Sequence, residues 1–101
     1  MEFGNKLKQL RIDKNETLHN VSMGTNIDMT LLSKIERGGR LPTIEQIKRI
    51  ADHFCLETDI ITAEITAEKI IQEYGINKVT YNAILLVKEK LVQYSKGQTS
   101  E

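Results

Sequence analysis

Apolar residues recur along this chain at helical spacing, and strand-like alternation is nearly absent. Phe3, Leu7 and Leu10 fall at i, i+4 and i+7, which predicts a first helix over about residues 2 to 13. The polar break Asp13-Lys14-Asn15-Glu16 follows it. Thr17 is placed to cap a short second helix with Leu18 and Val21 inward. That helix ends near Gly24-Thr25-Asn26, where Asn26 suits a left-handed backbone. Asp28 reads as the cap of a third helix with Leu32 and Ile35 inward, stopped by Gly38-Gly39. After Arg40-Leu41-Pro42, Thr43 caps a fourth helix, and Gln46 completes a capping-box pattern. Its predicted buried stripe is Ile44, Ile47, Ala51 and Phe54. Two further helices are predicted over about 58 to 74 and 78 to 95, punctuated by Gly75. A disordered tail is expected over about 96 to 101.

This is an all-α pattern. The 101 residues allow one small domain with an appendage, and 40% apolar content requires a folded core. Aromatics are few, so Ile, Leu and Val must fill that core. Lys plus Arg equals Asp plus Glu, 14 against 14. A neutral total argues against a protein that coats nucleic acid non-specifically, but it leaves room for a local basic patch. Charge is uneven: residues 1–55 carry nine Lys/Arg and seven Asp/Glu, residues 56–101 five and seven. Cys55 has no internal disulfide partner and is expected to be buried among Ala51, Phe54 and Leu56. No positive-then-apolar leader opens the sequence and no apolar run approaches 18 residues, so a cytoplasmic location without membrane contact is expected.

Catalytic chemistry finds little support. There is no CxxC pair, no HExxH and no Gly-rich phosphate loop. His19 and His53 lie on different predicted helices, with His19 expected at the surface and His53 at the edge of the fourth helix. The expectation is a non-enzyme with no catalytic residue, no metal site and no cofactor.

Residues 17 to 37 carry the strongest signal. Two short helices joined by Thr25-Asn26-Ile27-Asp28 form a helix-turn-helix. In that motif the second helix lies in the major groove of double-stranded DNA. One residue is out of place: Glu36 stands among Lys34, Arg37 and Arg40, where a carboxylate repels phosphate. Either the segment does not touch nucleic acid, or Glu36 faces inward and is held by a partner.

The segments LKQLRIDK, TLHNVS, IDMTLLSKIERG and RLPTIEQIKRIADHF resemble the XRE-like, phage-repressor and Cro-like helix-turn-helix family. The resemblance covers about residues 3 to 56, and LSKIERG followed by a Pro-Thr helix start is its most specific part. Residues 57–101 are expected to form a C-terminal helical dimerisation extension, and the resemblance implies a lambda-repressor-like domain over residues 1–56. It also implies that Arg11 of the first helix pairs with Glu36. By motif position, Met29, Thr30 and Lys34 point into the groove with Ser33 nearby. Met29 packed onto the second helix and Lys34 simply solvated are the alternatives. Phosphate contacts are expected from Lys14, Thr17, Arg37, Gly39, Arg40 and Thr43. Leu18 stands where family members often carry glutamine, so no phosphate role is assigned to it.

Helices five and six hold more apolar surface than one side needs. Ile61, Ile65, Ile70, Ile84, Val87 and Leu91 are therefore expected at a homodimer interface. The alternative is that these helices simply cover the first four. The functional expectation is a dimeric transcriptional repressor reading an inverted repeat with the helix over residues 28–36, near its own promoter. The competing expectation is an interaction module whose C-terminal helices hold another protein, as an antitoxin or a restriction-modification partner does.

Overall fold

The computed structural model describes residues 2–99. These form six helices and no strand: α1 (Glu2–Asp13), α2 (Leu18–Thr25), α3 (Met29–Glu36), α4 (Ile44–His53), α5 (Thr58–Tyr74) and α6 (Lys78–Thr99). None of them is long and apolar enough to cross a membrane.

Local chemistry sets the helix ends. At α2, Thr17 Oγ1 accepts the Asn20 N–H at 3.1 Å while Asn20 Oδ1 accepts the Thr17 N–H at 2.9 Å. Thr43 and Gln46 make the same reciprocal cap at α4, at 3.2 and 2.9 Å. Asp28 Oδ2 accepts the Thr30 N–H at 3.0 Å and starts α3. Helices α1, α3 and α4 close alike, each through a left-handed residue: Asn15 (φ 54°), Gly38 (φ 79°) and Cys55 (φ 55°). The next N–H then reaches back across the last turn, from Glu16 to Arg11 O, Gly39 to Lys34 O and Leu56 to Ala51 O. This close corrects the expectation for Cys55. Its thiol is exposed, because the left-handed residue turns outward while Phe54 and Leu56 on either side pack inward.

The chain divides into two compact units, one ending at Lys69 and one beginning at Ile70. In the first, the core is built from Phe3 and Leu7 of α1, Val21 of α2, and Leu32 and Ile35 of α3. Ile47, Ile50 and the capping Phe54 add the α4 side. Ile44 is 65% exposed, so it leaves the predicted stripe and Ile50 takes its place. Its phase is right, but it stands in the first turn of α4, ahead of the residues that meet the core. Ile61 and Ile65 of α5, 1% and 0% exposed, complete the cluster. Neither is on a free face, which removes both from the expected dimer interface. The expected boundary after residue 56 moves into α5 for the same reason.

Two polar contacts join α1 to this half of α5. Glu68 Oε2 accepts the Phe3 N–H at 3.1 Å, and Lys6 Nζ meets Glu64 Oε1 at 2.8 Å. The first satisfies a donor that a helix start leaves without an intrahelical acceptor.

In the second unit, α5 ends at Gly75 (φ 82°) and Asn77 caps α6, accepting the Thr80 N–H at 2.9 Å. Helix α6 continues through Lys96–Thr99, against the expected tail. The segment has no proline, and one glycine at a helix end costs only about 1 kcal/mol. The last two positions of that expected tail, 100 and 101, lie outside the described residues.

The burial of α5 yields a direct test. Ile65→Ala should lower the unfolding free energy by about 2–5 kcal/mol. Ile60→Ala, one face away and 56% exposed, should change it by less than about 0.5 kcal/mol. Urea unfolding followed by circular dichroism measures both, and equal losses would show that α5 does not close the core.

Candidate nucleic-acid interface

Helix α3 has two faces. Leu32 and Ile35 are buried and Leu31 packs at the core's edge. Met29, Thr30 and Lys34 are exposed and Ser33 is half-buried. At about 100° per residue the two sets fall on opposite sides of the helix. Neither the Thr30 nor the Lys34 side chain makes a hydrogen bond or ion pair with another described residue.

Glu36 turns away from this outer face. Arg11 Nε donates to Glu36 Oε2 at 2.8 Å and Nη2 donates to Oε1 at 3.0 Å. The third nitrogen, Nη1, donates to the Glu16 carbonyl at 3.1 Å. One guanidinium therefore grips the end of α3 and the loop between α1 and α2. Side-chain exposure of 16% for Arg11 and 8% for Glu36 leaves little water to replace these bonds. Hydrogen bonding to Glu36 raises the Arg11 pKa; burial opposes this, and the charge of Glu36 adds to it. A raised pKa on a cation contributes stability below the ordinary guanidinium range, lost only as pH climbs past the raised value. The pair's cation is thus intact at any pH where the protein is handled.

Gly4 lets α1 come close enough for this grip. A Cβ there would sit 2.5 Å from the Ile35 carbonyl oxygen and 2.7 Å from that of Glu36. Gly4 and Arg11 lie two turns apart on one face of α1, so one face meets the backbone of α3 and then its last carboxylate.

The six phosphate candidates fare differently. Arg37 and Arg40 are exposed, and their side chains pair with no other described residue. Gly39 spends its N–H on Lys34 O at 2.9 Å, so it has no backbone donor to offer phosphate. Thr43 gives its N–H to Gln46, leaving its hydroxyl proton and the first-turn N–H groups of Ile44 and Glu45 for an anion. Thr17 is committed to Asn20 through both its N–H and its hydroxyl. Lys14 Nζ donates to the His53 carbonyl at 3.2 Å and lies 5.5 Å from the centre of the Phe54 ring, so it serves the end of α4. Arg37, Arg40 and the start of α4 are therefore the groups among the six that keep uncommitted donors. Leu18 packs against the core's edge.

Sequence reasoning missed the role of His53. Its Nε2 lies 3.0 Å from both Glu16 oxygens, and its ring stands edge-on to Phe54 at 4.7 Å. A Cβ on Gly24 would collide with that ring. His53 therefore ties α4 to the α1–α2 loop and sits against α2. His19 is exposed. The available signals were Gly4 and Gly24, glycines inside helices, which mark close approach. No group of three or more metal-ligating side chains gathers among the described residues.

Arg11→Ala should cost about 3 kcal/mol, because it strands a nearly buried carboxylate. Arg11→Lys should recover only part of the loss, since an ammonium cannot reproduce the two-point grip. Thermal unfolding checks both; parent-like melting in Arg11→Ala would remove the pair as the anchor of α3.

The helix-turn-helix family profile matches residues 7–61. The chain is also 37% identical over 59 residues to the HTH-type transcriptional activator BcrR of Enterococcus faecalis. That alignment covers 58% of this chain but 29% of the relative, so the likeness is confined to a minor part of the longer protein. The matched span holds α2, α3, the arginine loop and the Arg11–Glu36 grip, and with more than half of its length matched the chain belongs to the XRE-like helix-turn-helix family of DNA-binding regulators.

Proposed function

We propose that this protein is a sequence-specific, DNA-binding transcription regulator that lays α3 in the major groove. The observation that carries the reading is the outer face of α3: Thr30 and Lys34 have no partner inside the fold, and Arg37 and Arg40 follow directly. Lys34 can donate to guanine O6 and N7. Thr30 offers a hydroxyl or a methyl group, Met29 an apolar contact to a thymine methyl, and Ser33 a short polar group. This set is modest for direct readout, so the shape of the duplex contributes to selectivity. Arg37 and Arg40 fix the register on phosphate without reading sequence.

One such domain buries too little DNA to be selective. Two copies with recognition helices about 34 Å apart read the halves of an inverted repeat. The regulatory effect we propose is repression by occupancy of a promoter, the protein's own included. The Enterococcus relative is named an activator, and a reporter fused to the selected site reads the sign directly. The long exposed apolar surface of α6 favours a second reading, an interaction module that holds another protein.

Selection from a random duplex pool at two salt concentrations tests the proposal. An inverted repeat should be enriched. Arg37→Ala/Arg40→Ala should weaken binding to all sequences and flatten the log–log salt dependence by roughly 2. Lys34→Ala should cost about 1–3 kcal/mol and relax selectivity at one base position. Enrichment of no sequence, even at low salt, would sink the regulator reading in favour of the interaction module.

A further inference from the structure

Helix α4 has a task at each end. Its first turn keeps the Thr43 hydroxyl proton and the Ile44 and Glu45 N–H groups uncommitted, donors suited to an anion. About 14 Å further along the axis, the last residue, His53, reaches the loop before α2. Its Nε2 lies 3.0 Å from both Glu16 oxygens. An ionised carboxylate only accepts, so Nε2 is the donor, and it can donate from the neutral ring as well as from the charged one. Side-chain exposure of 14% for His53 and 19% for Glu16 keeps water largely out of the contact.

The ring is confined on two sides. It stands edge-on to the core residue Phe54 at 4.7 Å. Its Nδ1 and Cε1 edge lies over Gly24, where a Cβ would collide with it. A glycine inside a helix costs roughly 1 kcal/mol against alanine, and here it gives the imidazole room beside α2. Lys14, in the same loop as Glu16, donates to the His53 carbonyl at 3.2 Å and adds a second tie to the end of α4. Glu16 is held at its backbone as well. Its carbonyl accepts Arg11 Nη1 at 3.1 Å, while Nε and Nη2 of the same guanidinium hold Glu36 at 2.8 and 3.0 Å. One loop residue thus joins the end of α4, through its side chain, to the end of α3, through Arg11.

We infer that His53 is a positioning residue for base reading: through Glu16 and Arg11 it sets the angle between the start of α4 and the outer face of α3. This role rests on the proposed reading of bases by α3, and adds to it a half-buried residue that governs selectivity from outside the contact surface. Phosphate contacts at the start of α4 place the domain on the duplex without reading sequence. Thr30 and Lys34 meet base edges only if α3 keeps one angle to those contacts. Freeing the end of α4 from the loop lets that angle wander. The number of phosphate contacts stays the same, so the loss falls on discrimination and leaves the salt dependence as it was.

The test measures binding of the full chain to two duplexes: the one that the parent enriches from a random pool, and a shuffled duplex of the same composition. His53→Leu keeps apolar bulk and removes the donor. It should bind the enriched duplex about tenfold more weakly, with affinity for the shuffled duplex and the salt dependence unchanged. Glutamine can place an amide N–H where Nε2 stands, so His53→Gln should bind both duplexes like the parent. Because His53→Leu risks disturbing the core's edge, Glu16→Ala, which removes the same bond from the loop side, is measured beside it and should lose the same discrimination. NMR of the free protein follows the Arg11 Nε–H, which should exchange with water faster in both donor-less and acceptor-less variants and not in His53→Gln. Equal losses on the two duplexes, tracking a lower melting temperature, mark a purely structural group and overturn the inference. Unchanged discrimination overturns it too, as does lost discrimination with Arg11 exchange like the parent's. A parent that enriches no sequence removes the regulator reading and this role with it. A parent and a His53→Leu variant that discriminate equally remove this role alone.

Discussion

Everything that α3 presents depends on one guanidinium. A helix of eight residues has no stability of its own and takes its direction from its neighbours. Asp28 fixes where α3 begins, and Arg11 fixes where it ends, with two bonds to Glu36. A tilt about the Asp28 end would swing Lys34 furthest, so the anchor is most valuable at the far end. Desolvation offsets much of the attraction in such a pair. Its main contribution is thus geometric: two parallel bonds between planar groups tolerate little rotation. Gly4 makes this possible by letting α1 touch the carbonyls of Ile35 and Glu36.

The anchor needs its own support. Helix α1 is held at its start by Glu68 and on its flank by Glu64, both from α5. Ile61 and Ile65 of the same helix seal the core beneath. The loop that Arg11 also grips is pinned from the other side by His53 through Glu16. Placement of the outer face of α3 therefore runs from α5 to α1, from α1 to Arg11, and from Arg11 to α3. The first half of α5 belongs to the DNA-facing unit in physical terms, although it follows the four helices of the motif in sequence.

Much of this was legible from local chemistry, because caps and periodicity are local. Thr17, Asp28 and Thr43 announce helix starts through their own side chains, and Gly38 announces a stop. The inward set on α3 follows from spacing alone. What spacing cannot give is how far a neighbour extends. Ile44 has the phase of a core residue but nothing over it, while Ile61 and Ile65 looked surplus until α5 folded back on α1. Cys55 was misjudged because its apolar neighbours hid its place at a left-handed close, a position read from backbone geometry and normally given to glycine. Side-chain competition was equally invisible. Thr17 and Gly39 have the right chemistry for phosphate but use their donors within the fold, and the exposed Lys14 gives one of its N–H groups to the His53 carbonyl.

That competition also resolves how a chain of zero net charge can meet a polyanion. Total charge counts every carboxylate equally, but a phosphate responds to those near it that lack a partner. Glu36 is neutralised by Arg11, and Glu16 is engaged by His53. Asp28 lies against the N–H groups that open α3, where a helix start offsets negative charge. Glu45 faces Arg49 at 3.4 Å, an exposed pair that contributes little stability yet still blunts the carboxylate. Glu64 and Glu68 are turned onto α1. These carboxylates around α3 are thus compensated one by one, whereas Lys34, Arg37 and Arg40 are not. Selective pairing of anions adds to a small excess of cations in residues 1–55, nine against seven, in leaving Lys34, Arg37 and Arg40 uncompensated.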